Sequence, residues 1–80
     1  DRAQAQADLA GYRREVAQME RKVAADSLAY HLSSRKFEEG MLSTFDLHTA
    51  AQTLLQSRIK LLQSRLLLVM KRRLVDYLGQ

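Results

Sequence analysis

The stretch Arg35-Lys36-Phe37-Glu38-Glu39-Gly40-Met41-Leu42-Ser43-Thr44-Phe45-Asp46-Leu47 holds the one strong break in an otherwise helical pattern, and it decides the fold. Gly40 suits the left-handed position just past a helix C-terminus, and Met41 is placed for the apolar contact that usually accompanies such an ending. Ser43 precedes Asp46 by three residues, an N-cap and N3 pairing of the capping-box kind, and Phe45, Leu47 and Ala50-Ala51 open the next helix. A loop of four or five residues therefore joins two helices. A loop that short folds them back on each other as an antiparallel hairpin.

Upstream of the turn, Leu9, Val16, Val23, Tyr30 and Phe37 recur every seven residues, and Ala5, Tyr12, Met19, Asp26 and Ser33 interleave with them. This is the alternating three-and-four spacing of an a/d seam, turning polar toward the tip. Ala3, Ala10, Ala17 and Ala24 form a small-residue strip beside it, and Gly11 sits inside the pattern as a tolerated glycine that costs about 1 kcal/mol relative to alanine and could serve a close contact. Downstream, Leu54-Leu55-Gln56-Ser57-Arg58-Ile59-Lys60 is nearly repeated as Leu61-Leu62-Gln63-Ser64-Arg65-Leu66-Leu67. Leu47, Leu54, Leu61, Leu68 and Val75 make one stripe, Leu55, Leu62 and Val69 widen it, and Ile59, Leu66, Leu67, Met70, Leu74 and Tyr77 lie off it. That surface is broader than one partner helix covers. The reading is all-α, a single coiled-coil-like helical hairpin over residues 1–80 with helices at about 3–39 and 44–78.

The chain has 80 residues with no proline, cysteine or tryptophan, which excludes a disulfide scaffold and a thiolate metal site. With 46% hydrophobic and 28% charged residues it is not a disordered tail. The net charge is +4, and because residues 1–40 carry seven basic and seven acidic side chains, the whole excess lies beyond Gly40. Arg58, Arg65 and Arg72 recur every seven residues beside the leucine stripe, so their stems cover its edge while their heads are solvated or paired with acids on a neighbour. Nucleic-acid binding is not expected, since the leucines dominate and no recognition-helix spacing or aromatic interleaving is present. Lys71, Arg72 and Arg73 are expected to offset the dipole at the C-terminus of the second helix, whereas Glu38 and Glu39 sit at a C-terminus where they cost stability, a hint that the tip has a job. No apolar run reaches membrane-spanning length, and no signal peptide or lipidation motif is seen. The chain starts at Asp1 rather than Met and reads as an excised or processed piece of something longer.

Phe37-Glu38-Glu39-Gly40-Met41-Leu42-Ser43-Thr44-Phe45-Asp46-Leu47-His48-Thr49-Ala50 resembles the repeat signature of the TolC-type outer membrane efflux protein family. The matching pattern is an aromatic three before a glycine, a short turn with Ser or Thr, then Asp followed by an apolar residue and an Ala four beyond the Asp. Leu54-Leu55 matches the leucine after it and Tyr77-Leu78-Gly79 the closing "LG", so the resemblance covers roughly residues 30–79. It implies a homotrimer in the bacterial outer membrane, each protomer holding two such repeats, with this hairpin, the second repeat, in a periplasmic α-helical barrel. It further implies that Gly40, Met41, Leu42, Ser43 and Thr44 meet a periplasmic adaptor, itself joined to an inner membrane pump. Phe37 and Asp46 would form the pore constriction that gates export of small molecules. The sequence departs from the pattern at Thr49, where the family often has a second acid, so a two-tier acidic ring is not implied.

No nucleophile, base, metal set or phosphate loop is assembled, so neither enzymatic activity nor a cofactor is expected. His31 and His48 lack partners at metal-ligand spacing and read as solvated or packed, and Ser57 and Ser64 as small packing or polar-face residues. A generic coiled-coil interaction module is the alternative function. It shares the periodicity but has no reason to keep the spacing of Phe37, Gly40, Ser43 and Asp46. A surface-bound amphipathic hairpin is a third reading. Cut from its neighbours, the chain is expected to self-associate through its leucine face, as a four-helix bundle of two hairpins.

Overall fold

The computed structural model of the protein describes residues 2–79 and consists of two helices, α1 (Arg2–Glu38) and α2 (Thr44–Leu78), packed side by side. The first helix thus runs one residue earlier at each end than expected, and the second has the expected limits. The molecule measures 60 × 14 × 12 Å. A width of 14 Å is what two Cα cylinders of radius about 2.3 Å give when their axes lie about 8–10 Å apart. Two straight helices side by side would be far thinner in the third direction, so the nearly square cross-section belongs to helices that depart from straight, as winding about each other makes them do. A seam kept on a seven-residue period requires that winding.

The a/d seam of α1 faces inward as its spacing predicts. Leu9 and Val16 are buried, Ala5, Tyr12, Met19, Val23, Asp26, Tyr30 and Ser33 half-buried, and Phe37 at the tip is exposed. On α2 the inward positions are Leu47, Leu54, Leu61, Leu68 and Val75, alternating with Ala50, Ser57, Ser64 and Lys71. Asp26 lies opposite Ser57, Met19 beside Ser64 and Tyr12 beside Lys71. This register sets Val16 level with Leu68, Val23 with Leu61 and Tyr30 with Leu54. Apolar layers therefore alternate with small or polar ones, and Ser57, 1% exposed, is the most completely buried of the described side chains. Its hydroxyl donates to the Leu54 carbonyl at 3.0 Å.

Along α1, one turn apart, Lys22 Nζ donates to Asp26 Oδ2 at 3.1 Å. This bond holds the Asp26 carboxyl below its ordinary value, partial burial opposes it, and the facing Ser57 hydroxyl assists whenever it turns its one proton from the Leu54 carbonyl to the carboxylate. A carboxyl lowered by folding contributes stability that is present above its unfolded pKa of about 3.9 and is lost as pH falls through its folded value. Urea midpoints are expected to decline below about pH 4, and this component of the decline should be absent in Asp26→Asn.

Two local expectations are corrected. Gly11 is not at a close contact, since a Cβ there would meet only the Arg14 guanidinium at 3.7 Å. Gly11→Ala is expected to stabilise the hairpin by about 0.5–1 kcal/mol in a thermal melt, because alanine restricts the unfolded chain and fits the helix. Lys71, Arg72 and Arg73 do not reach the end of α2, whose last turn carries no base. They lie more than a turn before the helix end, outside the last turn in which a cation offsets the dipole, and Lys71 is instead half-buried at the seam.

Candidate functional site

The tip is built by two complementary endings. Gly40 has φ +75°, its N–H bonds the Phe37 carbonyl at 3.0 Å, and the Met41 N–H bonds the Lys36 carbonyl at 2.8 Å. These are the two bonds of a Schellman ending, and they satisfy carbonyls that the helix leaves open. Nothing lies within 4 Å of a Cβ at Gly40, so the requirement for glycine there is the left-handed backbone and not space. Ser43 takes extended geometry, and its Oγ accepts the Asp46 N–H at 3.1 Å. The reciprocal half of a capping box is not formed. An aspartate is one methylene shorter than the glutamate that usually reaches back, and its carboxylate makes no bond to Ser43. Asp46 is exposed, with a charged group left free of the cap.

Met41 does not make the expected apolar contact and is 69% exposed, because the residues it would pack on are Arg35 and Lys36. Phe37 is 38% exposed at the end of the seam, Leu42 is half-buried, and Gly40, Ser43 and Thr44 are exposed. The turn thus gathers Phe37, Gly40, Met41, Ser43, Thr44 and Asp46 at one end of the molecule with their surfaces open. No hydrogen bond joins Phe37 to Asp46 among the described residues. Phe45, read from sequence only as the start of α2, is 76% exposed and adds the largest apolar surface at the tip. Its signal was its position two residues before the seam residue Leu47, which turns it away from α1.

A second exposed surface runs along α2. α1 covers the Leu54 and Leu61 stripe and leaves Leu55, Ile59, Leu62, Leu66 and Val69 open, Leu62 being 58% exposed. These five residues again alternate by four and three, so α2 carries a complete second seam. At about 100° per residue the centres of the two seams lie roughly 150° apart around the helix. Arg58, Arg65 and Arg72 run between them, all exposed, and among the described residues the only ion pair is Lys22 with Asp26.

Chemistry is sparse elsewhere. Among the described residues no three His, Asp or Glu side chains are grouped to hold a metal ion. His48 Nε2 lies 3.3 Å from Gln52 Nε2, and the His31 ring stands tilted beside Tyr30, with ring centroids 6.2 Å apart. No helix is long and apolar enough to cross a membrane among the described residues. Comparison of the chain with family models, curated proteins and solved structures gives no match.

Proposed function

We propose that the hairpin is a stave of the periplasmic helical barrel of a TolC-type outer membrane efflux channel, in its second repeat, with the tip directed at a periplasmic adaptor. The observation that carries this reading is the double seam of α2. A helix in a two-stranded coiled coil needs one seam, and a helix with a neighbour on each side, as α2 would have in a closed ring, needs two, set at the interior angle of the ring. Three protomers with two hairpins each supply about twelve helices, whose interior angle is about 150°, the offset on α2. The hairpin dimensions support a stave, and the open carboxylate of Asp46 beside an apolar tip of Phe37, Met41 and Phe45 supports a gate that contracts on itself and also meets a partner. The segment conducts small molecules outward and performs no chemistry.

Site-specific crosslinking from Met41 in the full-length protein, in intact cells, tests this. Adducts with a periplasmic adaptor are expected from Met41 and none from Arg73, at the opposite end of the hairpin. Adducts confined to cytosolic proteins would overturn the reading.

A further inference from the structure

The outer seam of α2 is edged on one side by Arg58, Arg65 and Arg72 and on the other by Gln56 and Gln63. We propose that this face docks a helix whose own apolar seam is edged by Asp or Glu at seven-residue spacing, in preference to a second copy of this chain. The inference stands apart from the channel reading, because it follows from the charges beside the seam.

Consider first what a second copy offers. Two α2 helices laid antiparallel on their outer seams centre on Leu62, with Leu55 of one level with Val69 of the other and Ile59 level with Leu66. The apolar match is complete. The same symmetry, however, brings Arg58 of each copy beside Arg65 of the other, since an antiparallel pair sets like edges together, and like charges so placed are destabilising. A parallel pair sets each arginine row against Gln56 and Gln63, which supply no carboxylate. The outward face of α1 does no better, because it presents Arg14 and Arg21 at its centre. The acids of α1 at seven-residue spacing, Asp8 and Glu15, edge the seam that α2 already covers, so none of these outer-face pairings neutralises the row.

An acid-edged helix does. The arginines stand about 10 Å apart along the axis, the rise of seven residues, so carboxylates at the same spacing meet all three in one register. Each forms a forked, charge-assisted bond at the rim of an apolar seam. The seam supplies adhesion, and the row selects the partner and its register. Six basic and two acidic residues on α2 reinforce the choice over the length of the helix.

The test titrates the whole 80-residue chain with two synthetic amphipathic helices that share a leucine seam and carry Glu or Lys at the edges. Fluorescence anisotropy at about 20 mM salt should show the Glu peptide binding at least about tenfold more tightly, with the advantage shrinking at about 500 mM salt. The R58E/R65E/R72E variant should reverse the order, and R58Q/R65Q/R72Q should erase it, with circular dichroism reporting that both remain helical. Equal affinity for the two peptides overturns the proposal, as does an order unchanged by charge reversal. Binding of neither peptide, or a dimer at low salt that the Glu peptide does not displace, overturns it as well.

Discussion

Leu61→Ala is expected to cost the hairpin about 2–5 kcal/mol, which is most or all of its stability. The core explains the size of the effect. Among the described residues the buried apolar side chains are Leu9, Val16, Leu54 and Leu61, and the layers between them hold Ser57, Ser64 and Asp26. Removing Leu61 empties the layer it shares with Val23, and its neighbours along the seam, Ser57 and Ser64, are too small to fill the space. Two helices joined by a short loop have no second core to fall back on. Urea unfolding followed by circular dichroism at low micromolar concentration reads the loss. A variant as stable as the parent would show that the Leu54 and Leu61 stripe is not what joins the helices.

Leu62→Glu, one residue along, is expected to do the reverse. Leu62 points away from α1, so the hairpin should keep its helicity and its urea midpoint within about 0.5 kcal/mol. Whatever seats on the outer seam loses its central apolar contact and must bury a carboxylate there, a penalty of several kcal/mol. In the full-length protein this predicts folded protomers that fail to assemble, seen as a shift from oligomer to monomer in sedimentation. If assembly persists, the outer seam is not an interface. The contrast is sharper than either result alone, because the milder substitution, on the covered face, is the one expected to unfold the hairpin, and the charged one, on the open face next to it, is expected to leave it folded.

The hairpin was legible in the sequence because its signals are local. Gly40 and Ser43 mark two helix ends within four residues, and the heptads on either side leave one geometry for so short a loop. Which face of α2 would meet α1 was less legible, since Leu54 and Leu55 lie in neighbouring columns and both repeat. α1 settles it through its polar positions. Opposite the all-apolar outer seam, Asp26 would be desolvated against leucine. Opposite Ser57 it finds a hydroxyl and keeps its bond to Lys22. The more polar seam of α2 is therefore turned inward and the more apolar one is left for a neighbour. At the tip, the glycine and serine roles follow from backbone chemistry and were readable. The exposure of Met41 was not, because the usual contact depends on what precedes the glycine, and here that is Arg35 and Lys36.

In the assembled protein α2 should be flanked on two sides. Electron cryomicroscopy of the full-length assembly would show this. The expected map is a closed ring of helices in which a second helix packs over Leu55, Leu62 and Leu66 at about 8–10 Å from the axis of α2, roughly 150° around it from α1. A hairpin standing alone, with that face bare to water, would contradict it.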